Sequence, residues 1–295
     1  MELARLVPAG TSRASFTLLP VPCFNVINGG QHAGGNLKVQ EFMIIPQKET
    51  FAENYRMGAE IYQNLKGILS SQYGVSAINV GYEGGFTPAL NKTREALDLI
   101  LQAIEKAGYL AEVKLGLDVA ASEFFENGQY NFEEGTMNSQ KMIDFYQGLL
   151  EDYPIIYLED PFSQEDFESW GKLKKVTSSR KNLMIIGDDL LVTNVQRIEM
   201  AQKQSLCNAL ILKPNQIGTV TESLKAVSLA QAYGWKVVAS HRSGDTCDDF
   251  IADLAVGTGA NFMKAGGLSR GERVTKYNRL LEIEEELGEI SKYRV

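Results

Sequence analysis

Six short apolar runs, 114–117, 155–158, 183–186, 209–212, 236–239 and 261–263, alternate with amphipathic segments over the last two thirds of the chain. Each run is too short for a helix and apolar on both faces. That is the pattern of a parallel strand buried on both sides. Between and before them, helical spacing predicts helices over 51–70, 92–107, 139–152, 193–203 and 271–287, and one opening at 219. Leu97, Ile100, Leu101 and Ile104 form one apolar stripe, which Gly108 stops. Thr219 and Glu222 read as a capping box, and Gly234 ends that helix. Strand–helix repeats at this length build a (β/α)8 barrel or a doubly wound sheet.

What ends each run separates the two. In order these residues are Asp118, Glu159, Asp188, Lys213, His241 and Lys264. An open sheet would spread them along an edge. A barrel brings all six to one mouth, where barrel enzymes keep their reacting groups. The predicted fold class is therefore α/β, a (β/α)8 TIM barrel. Residues 1–18 read as an irregular N-terminal segment and 19–295 as one barrel domain.

Composition narrows the partners. The 295 residues carry a formal charge of −8, which argues against nucleic acid or an anionic membrane as a partner. No apolar run approaches the roughly 20 residues of a membrane span. Cys23, Cys207 and Cys247 form no CxxC pair, so no zinc site or disulfide framework is expected, but three buried thiols in a reducing compartment. The chain holds just two histidines, His32 and His241, both in polar segments rich in Gly or Ser.

The strand-end residues divide by charge. Asp118, Glu159 and Asp188 form an oxygen-only donor set without His or Cys, which suits Mg²⁺ over Zn²⁺. Lys213, His241 with Arg242, and Lys264 form a cationic half. A metal facing a group of cations suits a small, multiply charged anion such as a phosphorylated carboxylic acid.

Nine segments occur in series: VPCFNVINGGQHAGG, QEFMIIP, GYEGGFTP, LGLDVAASEFF, LEDPF, IGDDLLVTN, LKPNQIGT, SHRSGDT and KYNRLLEIEEELG. In them the chain closely resembles the enolase (phosphopyruvate hydratase) family, over its C-terminal catalytic barrel. The resemblance implies an enolase-type barrel and the reversible dehydration of 2-phosphoglycerate to phosphoenolpyruvate, a glycolytic step in the cytoplasm. It implies two Mg²⁺ ions, one conformational and one catalytic. Asp118, Glu159 and Asp188 match the ligands of the conformational ion. Lys213 matches the base that removes the C2 proton, and Glu83 the acid that protonates the leaving 3-hydroxyl. Glu41 matches the hydrogen-bond network on the acid side, and His32 a group near the acid and the substrate. Arg242 and Ser243 match groups at the phosphate and the second ion, and His241 and Lys264 further substrate contacts. For these roles Lys213 needs a lowered pKa, expected from nearby cations, and Glu83 a raised one, expected from burial.

The chain also departs from the family pattern. The smaller α+β domain that precedes the barrel in enolases has no counterpart in residues 1–18. The expectation is a fragment or splice form, with a homodimer or association with a complete enolase subunit covering apolar surface. The alternative function is a non-catalytic binding or regulatory partner. Tyr82 stands where the family has Asp, and is expected to crowd Glu83 or to point harmlessly away. Ala265-Gly266-Gly267-Leu268 replaces a TGAP-like turn, and Pro214 follows Lys213 where Val is usual, so a shifted backbone is expected at the base.

Overall fold

The computed structural model describes residues 18–33, 35–133, 135–288 and 291–293. Eight strands close a barrel in chain order: β1 (Val21–Asn28), β2 (Glu41–Pro46), β3 (Val113–Asp118), β4 (Ile155–Glu159), β5 (Met184–Gly187), β6 (Ala209–Leu212), β7 (Lys236–Ser240) and β8 (Phe262–Lys264). Among the described residues eight helices of more than two turns accompany them: α1 (Phe51–Tyr73), α2 (Thr93–Ala107), α3 (Ser139–Asp152), α4 (Phe167–Val176), α5 (Val195–Gln204), α6 (Val220–Ala232), α7 (Phe250–Thr258) and α8 (Gly271–Leu287). The predicted caps are present. Gly108 ends α2 in the left-handed conformation, and Thr219 Oγ1 accepts from Glu222 N at the start of α6.

One feature corrects the regular strand–helix alternation. β2 runs antiparallel to both β1 and β3, while the other neighbours are parallel. The segment joining β1 to β2 contains only a one-turn helix at Gly30–His32, too little for a crossover. Both α1 and α2 then lie between β2 and β3. The reversal has a functional consequence. The first residue of β2, Glu41, pairs with the last residue of β3, Asp118, and so reaches the mouth that the other strands reach with their last residues. β1 escaped the apolar-run reading because it holds Pro22, Asn25 and Asn28, although all eight of its residues are buried.

The core has two layers, as a filled barrel requires. Cys23, Met43, Ile45, Tyr157, Ile186, Ala209, Ile211 and Val238 fill the interior. The alternate residues, such as Leu210 and Leu212 on β6, face outward into the larger core beneath the helices. Cys23 and Cys207 are buried as expected. Cys247 is exposed, against expectation, because it lies in the open loop after β7. The reading of residues 1–18 as irregular falls, up to residue 17, outside the described residues. Leu18–Leu19 pairs with Lys292–Tyr293 as a short parallel strand. Among the described residues no helix is long and apolar enough to cross a membrane.

Candidate active site

The strand ends meet as the sequence reading required. Asp118, Glu159 and Lys264 are the last residues of β3, β4 and β8; Asp188, Lys213 and His241 each follow the last residue of β5, β6 and β7. Lys264 stands at the centre. Its Nζ, almost wholly buried, lies 3.1 Å from Glu41 Oε1, 3.0 Å from Asp118 Oδ2 and 2.8 Å from Glu159 Oε1. Burial opposes a charge on this ammonium, but the three carboxylates outweigh it and hold its pKa well above the ordinary lysine value. Burial also pushes Glu159 up to about 8, with the Asp118 charge adding to it and Lys264 opposing. Tyr157 donates a hydrogen bond to the other Glu159 oxygen.

Lys213 is held differently. Its Nζ forms an ion pair with Asp188 Oδ2, and Gln216 Nε2 donates to Asp188 Oδ1 at 2.8 Å. Burial works against the Lys213 charge, but Asp188 outweighs it, so the pKa is raised. Lys264 acts in the expected downward direction, but the Asp188 carboxylate is the nearer charge and outweighs it. Burial likewise acts upward on Asp188, and Lys213 brings it below the usual range. The Lys213 backbone N–H donates to Thr193 Oγ1 at 3.0 Å. Val192 and Thr193 are consecutive β-branched residues with φ of 44° and 54°. That backbone costs about 1–2 kcal/mol per residue, and it places the Thr193 hydroxyl beneath the lysine. Pro214 displaces nothing. It occupies the first position of the one-turn helix Pro214–Ile217, where a missing N–H is tolerated, and Lys213 before it is extended.

The acid side lies over β1, three strands round the barrel from β6. A register shift between Asn25 and Ile27 bulges β1 there. Asn25 Nδ2 donates to Glu41 Oε2 and Glu83 Oε2, both at 3.2 Å. Ser243 Oγ donates to Glu83 Oε1 at 2.9 Å and lies 2.9 Å from His32 Nε2. His32 Nδ1 and His241 Nε2 face Glu83 Oε2 at 3.7 and 3.4 Å. Burial, then the Glu83 charge, raises Glu41 well above the usual carboxyl range. Burial acts upward on Glu83 too, yet His241, His32 and Lys264 bring it well below. The expected raised acid is thus Glu41, with Glu83 the charged member of the pair.

Glycine geometry fixes this loop. Gly266 has φ 82°, and a Cβ there would lie 2.5 Å from the Glu83 carbonyl oxygen. Gly266→Ala is expected to destabilise the fold by about 2–4 kcal/mol in urea denaturation, from a left-handed alanine and an overpacked contact. A loss under about 0.5 kcal/mol would show that the loop is free to move. Tyr82 is 63% exposed and does not crowd the acid. Its backbone carbonyl instead accepts from Arg273 Nη2 at 3.1 Å.

One cavity of about 30 Å³ is lined by His32, Gln40, Glu41, Glu83, Asp118, Lys213, Ser240, His241, Ser243 and Lys264. Arg242 stands apart from it, exposed on the rim, with Nη1 donating to Asn215 Oδ1 at 3.1 Å. Asn25, Thr193, Gln216 and Arg273 were not singled out from sequence. Asn25 sits inside a quoted motif and Gln216 three residues beyond the lysine; Arg273 carries no signal beyond its place in α8.

By donor type the set suits one hard cation. Asp118, Glu159 and Asp188 offer only carboxylate oxygens at adjacent strand ends, and in this structure two lysine ammoniums neutralise them. Asp188 clusters more tightly with Asp160 and Asp189, whose oxygens lie within 4.8 Å of one another. Asp160, however, is spent on the backbone N–H groups of Asp188 and Asp189, at 3.0 and 2.8 Å. A second ion does not fit as well. Of the two residues read as its neighbours, Arg242 carries no metal donor and the Ser243 hydroxyl is engaged by Glu83 and His32.

The model of the family "Enolase, C-terminal TIM barrel domain" matches residues 16–295. With its closed eight-stranded barrel and its charged groups gathered at one mouth, this chain belongs to the enolase C-terminal TIM barrel domain family.

Proposed function

We propose that this barrel catalyses the reversible dehydration of 2-phosphoglycerate to phosphoenolpyruvate. The observation that carries the reading is the single cavity lined by an amine, Lys213, and a carboxylate, Glu83, with Lys264 between charged groups at its floor. A lysine base with Mg²⁺ is the general arrangement of enolase-superfamily sites. Asp118, Glu159 and Asp188 would hold the ion. When bound, Mg²⁺ supplies positive charge next to the substrate carboxylate, where negative charge accumulates as the C2 proton leaves.

The protein's own groups do the rest. Lys213 Nζ, in its neutral form, takes the proton from C2, and the electron pair left behind spreads onto the substrate carboxylate; in a second step that pair forms the C2–C3 double bond as the C3–O bond breaks. The departing hydroxyl takes a proton from the acid side and leaves as water. On that side burial holds the Glu41 carboxyl above the usual range, and Asn25 Nδ2 donates to both Glu41 and Glu83. Lys264 keeps its charge throughout and opposes the charge growing on the substrate. Arg242, exposed on the rim, is the group this reading assigns to the phosphate.

The test is phosphoenolpyruvate formation, read by its ultraviolet absorbance, with the purified chain and 2-phosphoglycerate, with and without Mg²⁺. Product that requires Mg²⁺ and stops on chelation is the expected result. A folded chain that binds Mg²⁺ and forms no product overturns catalysis. It would favour a second reading, a non-catalytic enolase-like binding partner, for which the ion-paired and therefore protonated Lys213 is the supporting observation.

A further inference from the structure

The two nitrogens of His241 have different neighbours. Nδ1 lies 2.5 Å from Arg273 Nη1. A guanidinium has five donors and no acceptor, so this contact is a hydrogen bond only if Nδ1 carries its lone pair. Nε2 is buried, has no hydrogen-bond partner, and faces Glu83 Oε2 at 3.4 Å.

We propose that Arg273 is a positioning residue that holds His241 as the Nε2–H tautomer and thereby directs a hydrogen at the Glu83 carboxylate. The proposal rests on the functional reading only in placing Glu83 on the acid side of the site. The tautomer is a property of the chain itself.

The rest of the guanidinium supports a positioning role. Nη1 also donates to the Arg242 carbonyl at 2.6 Å. Nη2 donates to the Tyr82 and Ser243 carbonyls at 3.1 and 2.5 Å. One side chain, rising from the first turn of α8, therefore ties the loop of Glu83 to the loop of His241 and Ser243. Arg273 is 1% exposed, and its nearest carboxylate, Glu272, stands 3.9 Å from Nε. A buried cation held by carbonyl dipoles, without a close ion pair, carries a desolvation cost that packing alone does not require. The flat fork reaches the imidazole and three carbonyls together. A lysine ammonium, with three donors on one atom, cannot span them.

The chain has two histidines, so labelling histidine with ¹⁵N gives a spectrum of two imidazoles when the protein is made without a polyhistidine tag. Long-range ¹H–¹⁵N correlation at neutral pH separates protonated from unprotonated ring nitrogens. Loss of signals in His241→Gln assigns them. The expected result is an unprotonated Nδ1 and a protonated Nε2 on His241. In Arg273→Lys and Arg273→Met the pattern is expected to move toward Nδ1–H or to an average of the two tautomers. A His241 with Nδ1–H, or with both nitrogens protonated, in the unaltered chain overturns the proposal whether or not the variants fold. So does an unchanged Nε2–H tautomer in either variant with native circular dichroism. A chain that shows the Nε2–H tautomer but forms no phosphoenolpyruvate refutes the functional reading and leaves this inference standing.

Discussion

Lys264→Met is expected to lower the free energy of unfolding by about 3–5 kcal/mol at neutral pH, the cost of removing one partner from a buried ion cluster. The lysine is the shared counter-charge of Glu41, Asp118 and Glu159, and the residues around it exclude water. Methionine fills much of the volume but leaves those carboxylates facing one another. They respond by binding protons, so the loss depends on pH. Glu159 is already raised to about 8 with the lysine in place, by burial and by Asp118. Without Lys264 its folded pKa rises further above its unfolded value. A carboxyl whose folded pKa is raised contributes fully below the unfolded pKa of about 4.3 and loses that contribution as pH climbs through the folded pKa. Below about pH 8 parent and variant share that loss, so the Glu159 part of the deficit should be smallest near pH 5 and open as pH climbs through 8, where the parent's carboxyl ionises and the variant's does not. Urea denaturation at the two pH values reads it directly. Mg²⁺ should restore part of the loss, because an ion bound only by the folded state stabilises it by about 2.7 kcal/mol at a hundred times its dissociation constant. A variant within 1 kcal/mol of the parent at pH 8 would mean that the carboxylates do not depend on Lys264.

Lys213→Ala is expected to reduce 2-phosphoglycerate turnover by about 10³-fold, inside the roughly 10²–10⁴-fold contribution of a positioned proton acceptor. The same variant should lose exchange of the C2 hydrogen with solvent deuterium. Glu83→Gln separates the two halves of the chemistry. It should lose dehydration while keeping exchange at C2, since the amine on the β6 side is untouched. Exchange that survives Lys213→Ala would move the base elsewhere in the cavity. The substitution also leaves Asp188 with Gln216 as its remaining side-chain partner, at 2.8 Å. A fall in thermal stability should accompany the fall in rate, and added Mg²⁺ should reverse the first without the second.

These expectations concern residues of unequal legibility. Asp118, Glu159, Asp188, Lys213, His241 and Lys264 could be picked out because a parallel strand buried on both faces is a short apolar run, and the first polar residue after it marks the mouth. β1 gave no such signal, while β2 carries the apolar run Phe42–Ile45 but has its mouth residue, Glu41, before the run and not after it. β1 places Asn25 inside the barrel, where it bridges two carboxylates, and polar residues at core positions break the apolar pattern. The reversal of β2 was hidden because side-chain alternation is the same in either direction along a strand. That reversal is why Glu41, the first residue of its strand, pairs with Asp118. Arg273 looks like an ordinary polar residue near a helix start, and nothing in the local pattern says that its side chain turns inward. The protonation of the site was misread for a similar reason. Burial of Glu83 and the cations near Lys213 were foreseeable, but the closest polar groups, His241 to the one and Asp188 to the other, are set by contacts between strands.

By itself the sequence determined the barrel class, the mouth that carries the chemistry and the charge of each strand end, because periodicity and residue type are local properties. Only the tertiary structure decided which charges pair, which carboxyl is raised and which is lowered, and which nitrogen of His241 faces Glu83. Those follow from distances of about 3 Å between groups tens to hundreds of residues apart in the chain, and at that range the nearest neighbour dominates the electrostatics.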